Sequence, residues 1–512
     1  MSMIQVSHLT FCYEGGMEPV FEDVSFRIDT DWKLGLTGRN GRGKTTLLKL
    51  LMGAYEYTGS IQGDVQMEYF PVLVKDGSRD VIEVLEEADP SCELWKICRE
   101  LTCLDMDPGI LYRPFDSLSG GEQTRVMMAG LFARENAFLL IDEPTNHLDM
   151  EARESMMRYL QGKKGFILVS HDRYFLDGCV DHILSINRSD IEVVRGNFTT
   201  WQEQKEKKDT FELGENEKLK KDIRRLEAAA ARTERWSDAV EKTKTGTKIG
   251  GLKPDRGAIG HKAAKMMKRS KSMENRMLTA AEEKRKLLKN VETAEDLKIC
   301  PLTHHKNRLV LMEDVTLSYG SRRVLEGLSL HVDQGERVLL SGRNGCGKSS
   351  VLKAVLTSWM DGEEAGGMQA ALPAEAGELR ITGGRIQLAP GLVISYVPQN
   401  PAGLSGDLRT YAKNRGLSLS LFMALLRKMD FSRLQFEKKM EDYSLGQKKK
   451  VLIAASLCEQ AHLYIWDEPM NYIDIFSRRQ IMELIQRYSP TMLLVEHDRD
   501  FAHHAATRMA GL

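Results

Sequence analysis

The chain has 512 residues, enough for about three domains of ordinary size. An apolar fraction of 42%, a charged fraction of 28% and a net charge of −1 suit a soluble globular protein, and exclude a global field drawing the whole molecule to nucleic acid or anionic membrane. Met1–Phe11 has no basic leader with an apolar core, and no run nears the ~18 apolar residues of a membrane span, so a cytoplasmic location is expected. Of the eight cysteines, Cys92, Cys98 and Cys103 cluster without the spacing of a zinc or iron–sulfur site, and all read as small hydrophobes in a reducing cytosol.

Along the chain, an apolar run from Trp32 to Leu36 leads into Gly38-Arg39-Asn40-Gly41-Arg42-Gly43-Lys44-Thr45, then Thr46 and a leucine-rich stretch. This fits G-x-x-x-x-G-K-[ST] in the strand, loop, helix context that a phosphate-binding loop requires. Backbone N–H groups wrap the phosphates, the lysine reaches the β and γ oxygens, and the hydroxyl binds Mg²⁺. Leu118-Ser119-Gly120-Gly121-Glu122 follows, ahead of a helix-like run. About twenty residues on, the apolar strand Phe138–Ile141 ends in Asp142 and Glu143. A buried parallel strand presents such acids at the sheet edge that carries the phosphate loop. Asp142 is expected to hold Mg²⁺ through water, and Glu143 to orient or polarise the attacking water. Ser170-His171 ends another apolar run, Phe166–Val169, which puts an imidazole at the same edge to donate to the γ-phosphate.

From Gln202 to about residue 300 the composition changes. Phe211, Leu219, Ile223 and Leu226, then Met277, Ala281, Leu288 and Val291, recur at near-helical spacing among Glu, Lys, Arg and Ala. Two antiparallel helical arms with a glycine-broken tip at about 232–276 are predicted, the tip ~45 Å from its base if each arm holds ~30 helical residues. That window has thirteen Lys/Arg against five Asp/Glu, densest at Lys262, Lys265, Lys268, Arg269 and Lys271, which points to a phosphate backbone as ligand. Trp236 reads equally as a base-stacking or a structural tryptophan.

The remainder, 301–512, replays 1–201. Val338–Leu340 leads into Gly342-Arg343-Asn344-Gly345-Cys346-Gly347-Lys348-Ser349, followed by Ser350. Leu463–Trp466 ends in Asp467 and Glu468, and Met492–Val495 leads to Glu496-His497. Lysine, metal acid, general-base glutamate and histidine therefore occur twice: Lys44, Asp142, Glu143 and His171, then Lys348, Asp467, Glu468 and His497. Lys44 and Lys348 are 304 residues apart, whereas Ser119 and Ser444 are 325 apart, so the second repeat carries an insertion, expected as a surface loop at about 362–384.

Leu118–Glu122 is a signature sequence, and with it both halves resemble the ATP-binding-cassette superfamily, Gln5 to about Ile186 and Val310 to His504. The implied fold is α/β: two P-loop cassettes joined by a long antiparallel helical hairpin. By this resemblance Ser119, Gly120, Gly121 and Glu122 cap the γ-phosphate on the other cassette's loop, Ser444, Gly446 and Gln447 do the same in return, and two ATPs are sandwiched between cassettes. Tyr13 and Tyr319 sit where an aromatic ring stacks on adenine, or are strand-end tyrosines. Paired cassettes, no membrane segment, Glu143-Pro144-Thr145-Asn146-His147-Leu148-Asp149 and a charged helical linker are similar to the ABC-F family of ribosome-associated ATPases. Thr303-His304-His305-Lys306, Trp466-Asp467-Glu468-Pro469 and the 257–271 tip are similar to its Lsa-type branch, which protects bacterial ribosomes against lincosamides, streptogramin A and pleuromutilins. The resemblance implies a tip that enters the tRNA exit site of the 70S ribosome, contacting rRNA and tRNA, with the chain acting as a monomer. A housekeeping translation factor shares this machinery. A transporter's ATPase subunit gives the basic hairpin no use, and a chromosome-associated cassette protein carries longer coiled coils or zinc modules.

Two departures from the pattern fall on one composite site. The second signature, Tyr443-Ser444-Leu445-Gly446-Gln447, has leucine where the first has Gly120, crowding an amide approach to phosphate. The metal-side glutamine present as Gln399 is Val72 in the first repeat, which cannot ligate Mg²⁺. The Lys44 site is therefore expected to be slow and the Lys348 site to set turnover.

Overall fold

The computed structural model describes residues 3–13, 19–72, 74–89, 93–146, 148–186, 191–242, 268, 271–273, 276, 279–280, 301–361, 379–401, 403–429 and 431–512. Met1–Trp201 and Glu295–Leu512 form one unit and Gln202–Ala294 the other.

Each repeat builds one small antiparallel sheet and one larger parallel sheet. In the first repeat, β1 (Met3–Phe11), β2 (Phe21–Asp29) and β4 (Thr58–Gln62) are ordered β2-β1-β4. The strands β3 (Lys33–Thr37), β5 (Gln66–Phe70), β6 (Ala137–Asp142), β7 (Phe166–Val169), β8 (His182–Ile186) and β9 (Ile191–Arg195) are ordered β5-β6-β7-β3-β8-β9, parallel except for β9. In the second repeat, β10 (Arg308–Tyr319), β11 (Arg322–Asp333) and β13 (Leu379–Leu388) are ordered β11-β10-β13. The strands β12 (Arg337–Ser341), β14 (Ile394–Val397), β15 (Leu463–Asp467), β16 (Met492–Val495) and β17 (Arg508–Gly511) form the parallel sheet β14-β15-β16-β12-β17.

The acid strands are apolar on both faces because both faces are covered. In β6, Phe138 and Leu140 join the cluster that holds Leu47 and Leu48, while Leu139 and Ile141 join the one that holds Val126 and Met127. In β15, Leu463 and Ile465 face one cluster and Tyr464 and Trp466 the other. Each full burial of this kind contributes ~1.5–3 kcal/mol, so the acids at the strand ends sit on a rigid floor. The loop after β3 and the acids ending β6 meet at one sheet edge, since β7 alone separates the two strands.

Two expected boundaries move. The insertion expected at 362–384 ends earlier, because 379–384 are the first half of β13: β10 stays extended to Tyr319, and Leu379 pairs with it. Residues 362–378 lie outside the described residues. The linker's first helix, Phe198–Lys242, runs 45 residues and passes Arg232, where the tip was expected: it tolerates Gly214, and neither glycine nor proline recurs between Gly214 and Gly246. Phe211, placed on that arm's apolar stripe, is exposed, whereas Ile223 is buried. The rest of the tip and the second arm, including Lys262, Lys265 and Arg269, lie largely outside the described residues; Lys268 and Lys271 are helical and exposed. No helix among the described residues is long and apolar enough to cross a membrane.

Candidate functional site

Gly43 and Gly347 hold φ of 85° and 103°, and the helices Lys44–Leu51 and Lys348–Met360 start immediately after them. A Cβ on Gly43 would lie 2.6 Å from Val20 Cγ1, so the turn from loop to helix needs glycine. Inside each loop the lysine is nearly buried. Lys44 Nζ donates to Gly38 O at 2.8 Å and Asn40 Oδ1 at 3.3 Å; Lys348 Nζ donates to Gly342 O and Arg343 O, both at 2.8 Å.

The expected metal groups lie together. Thr45 Oγ1 donates to Asp142 Oδ2 at 2.7 Å, and Ser349 Oγ to Asp467 Oδ1 at 3.1 Å. Burial pushes the Asp467 carboxyl up to about 6, a cost that a cation beside it would remove. Hydroxyl and carboxylate oxygens suit a hard divalent ion such as Mg²⁺. Tyr13 Oη lies 2.7 Å from Thr46 Oγ1, and Ser350 Oγ donates to Tyr319 Oη at 3.4 Å, so both tyrosines stand beside a phosphate-loop helix.

The two glutamates expected to act as general bases share an unusual backbone. Glu143 has φ 52° and Glu468 has φ 44°, a left-handed conformation costing ~1–3 kcal/mol in a non-glycine residue. Each is pinned by its own N–H, donated at 2.9 Å to Val169 O or Val495 O on the neighbouring strand. His171 Nε2 lies 3.3 Å from Glu143 Oε1, and His497 Nε2 lies 3.7 Å from Glu468 Oε1. Burial, then the Asp142 charge, pushes the Glu143 carboxyl up to about 8 against the pull of Lys44 and Arg478. Burial, then Lys348, draws His497 down to about 4, and burial also lowers His171 well below its ordinary value. Both rings are thus neutral near pH 7, with one N–H to donate. Among the described residues Glu143 Oε1 and His497 Nε2 are buried and have no hydrogen-bond partner, as groups awaiting a water and a phosphate oxygen would be.

Both signatures start helices, Gly120–Phe132 and Leu445–Cys458, through reciprocal caps. Ser119 N donates to Glu122 Oε2 at 2.8 Å and Glu122 N to Ser119 Oγ at 3.3 Å; Ser444 N donates to Gln447 Oε1 at 3.0 Å and Gln447 N to Ser444 Oγ at 3.3 Å. Glu122 and Gln447 therefore orient the serines instead of extending towards a ligand.

The two repeats face each other head to tail. Asn40 Nδ2, in the first phosphate loop, donates to Tyr472 O at 3.0 Å. A Cβ on Gly446 would lie 2.5 Å from Tyr472 O and 3.1 Å from Asn40 Nδ2, so the second signature closes on the first loop. At the other junction Asn344 N donates to Asp149 Oδ2 at 3.3 Å, and Arg343 pairs with Glu151 at 3.1 Å. Leu445 is exposed, and the close approach falls on its neighbour Gly446, which remains glycine. Val72 turns away from the metal side and lines a small cavity with Leu85, Met127 and Leu131, while Gln399 is exposed. His147 lies outside the described residues.

Sequence reasoning passed over two arginines. Arg153 Nη1 donates to His497 O across the junction at 3.2 Å and pairs with Asp172 at 2.9 Å, and Arg478 pairs with Asp498. The signal was present: each lies four residues after the aspartate of its repeat, Asp149 or Asp474.

The sequence pattern of the ABC transporter family matches residues 21–146 and 325–471. The ribosome protection protein VmlR of Bacillus subtilis is 28% identical over 495 residues, covering 96% of this chain and 83% of the relative. The energy-dependent translational throttle protein EttA of Haemophilus influenzae is 25% identical over 545 residues, covering 96% and 88%. Among solved structures, the archaeal ribosome recycling factor aABCE1, in complex with the ribosomal stalk protein aP1, shares the fold with a TM-score of 0.61 at 20% identity, covering 98% of this chain and 87% of that one.

Proposed function

The chain belongs to the ABC transporter family, carries two of its cassettes in tandem and hydrolyses ATP, and on that premise we propose that it is an ABC-F ATPase that binds the bacterial ribosome. The observation that carries the mechanism is the pairing of each phosphate loop with the other cassette's half, Asn40 against Tyr472 and Asn344 against Asp149. ATP held by Gly38–Thr46 or by Gly342–Ser350 adds contacts only when the cassettes are closed. Binding therefore favours the closed form and hydrolysis releases it.

Thr45 and Asp142, or Ser349, Asp467 and Gln399, would hold Mg²⁺, which would neutralise phosphate charge there. Lys44 and Lys348 act on the same charge, Glu143 and Glu468 orient water through a carboxyl group fixed in place, and His171 and His497 donate to the γ-phosphate. The basic run Lys262, Lys265, Lys268, Arg269 and Lys271 contacts rRNA and tRNA, and the chain acts as a monomer. Two relatives, named for ribosome protection and for a translational throttle, support the partner, and the first name supports ribosome protection as the biological role; resistance to lincosamide, streptogramin A and pleuromutilin drugs is what the Lsa-type resemblance of the sequence implies.

Co-sedimentation of the Glu143→Gln/Glu468→Gln variant with purified 70S ribosomes tests this reading. Pelleting with ATP but not ADP, weakened when the tip cations are neutralised, is expected. No pelleting with either nucleotide would return the transporter-subunit reading to the front.

A further inference from the structure

One buried cation has no part in the assignments above. Lys449 lies in the first turns of the helix Leu445–Cys458 and is 0% exposed. Its ammonium donates to Pro398 O at 2.7 Å, Gln399 O at 3.0 Å and Asp467 O at 3.2 Å. An ammonium has three N–H groups, so these three carbonyls complete its set. Among the described residues no carboxylate bonds to it directly. Burial draws its pKa down to about 8, although Asp467, Glu496 and Glu468 oppose the shift. Burying a cation without a directly bonded anion costs more than an apolar side chain of the same length, so packing alone does not account for it. The matching residue of the first cassette, Thr124, bonds among the described residues within its own helix, to Gly120 O at 2.9 Å, and that cassette has Val72 where the second has Gln399. The lysine thus accompanies the metal-side glutamine in the one cassette that has both.

We propose that Lys449 is a positioning residue for the Lys348 site: it fixes the backbones of Gln399 and Asp467, and because its helix begins at the signature closing on the Asn40 loop, it ties closure of one ATP site to the metal side of the other. This rests on the assignment of Gln399 and Asp467 to the metal side.

The test uses full-length protein in a Glu143→Gln background, so that turnover reports the Lys348 site. Steady-state ATPase as a function of ATP and of Mg²⁺, with Tm measured alongside, is compared for the parent, Lys449→Met, Gln399→Ala and the pair combined. Lys449→Met is expected to lower kcat about tenfold and raise the half-saturating Mg²⁺ several-fold, with the ATP KM within about twofold, as loss of a group supporting metal ligands does. The combined variant should lose less than the product of the two single losses, since part of the lysine's effect passes through Gln399 and the rest through Asp467. A lowered Tm with unchanged Mg²⁺ dependence per folded molecule, or additive losses in the combined variant, overturns the proposal. Should Lys449→Met not fold, Lys449→Gln, which keeps two of the three donors, is read by the same criteria. A parent without Mg²⁺-dependent turnover would bring down the site assignment itself, a result distinct from failure of Lys449 alone.

Discussion

The two cassettes share the groups proposed for hydrolysis and differ in what surrounds them. Asp149 caps its own helix through Ala152 N at 2.9 Å and offers its second oxygen to Asn344 of the facing cassette. Its counterpart Asp474 also caps its helix, at Ser477 N, but its second oxygen pairs with buried Lys450 of its own cassette at 2.6 Å. The first cassette thus spends this carboxylate on closure and the second on its own rigidity. The bracing around the acids differs as well: in the second cassette Lys449 donates to Asp467 O and Gln399 O, whereas in the first Tyr69 Oη donates to Asp142 Oδ2 at 3.1 Å. Two sites with the same reacting groups can therefore run at different rates through what holds those groups still.

The largest way to break this contrast is Asp474→Asn. Leaving Lys450 buried without its anion is expected to cost about 3–5 kcal/mol of stability, whereas Asp149→Asn should cost under about 1 kcal/mol, as denaturant titration would measure. The contrast is also one of pH. Although burial opposes it, Lys450 holds the folded Asp474 carboxyl well below its ordinary value, so the stability it contributes is present above pH ~4 and lost as pH falls towards the folded value. Asp474→Asn should accordingly flatten the acid limb of the stability curve. Next, Glu468→Gln should cut turnover about 100-fold and Glu143→Gln less than about threefold; equal losses would end the idea of a slow Lys44 site. Gly446→Ala puts a methyl group against Tyr472 O and should weaken ATP-driven closure about tenfold, read as a shifted ATP dependence of ribosome pelleting. The smallest effect belongs to Val72→Gln. Because Val72 faces Leu85 and Met127, the change should cost ~1 kcal/mol and leave the Mg²⁺ dependence unmoved. A gain in turnover would show that the turn re-aims readily.

Phosphate loops, acid strands and signatures were legible in sequence because local pattern dictates them: a glycine-spaced loop between strand and helix, and apolar runs ending in acids. The head-to-tail pairing came from resemblance, and the geometry at Gly446 gives it atoms. What stayed hidden depends on tertiary context. Lys449 and Lys450 stand in a run of three lysines yet are buried, because three carbonyls satisfy Lys449, and Met429 O and Asp474 satisfy Lys450. Helical periodicity could not foresee that Phe211 is exposed, because spacing says which residues share a face and not what packs against it. The end of the insertion was missed because 379–384 become a strand only by pairing with β10.

The contacts of Asn40 with Tyr472 and of Asn344 with Asp149 also have a genetic reading. Each half of the coding sequence specifies part of both ATP sites, so a lesion's position in the chain does not tell which site it damages. Second-site suppressors of a Gly446 substitution should arise near Asn40, some 400 residues away, as well as near Tyr472. Exchanging one half for that of a relative should fail even when both halves are sound, unless the facing surfaces are exchanged as a matched set.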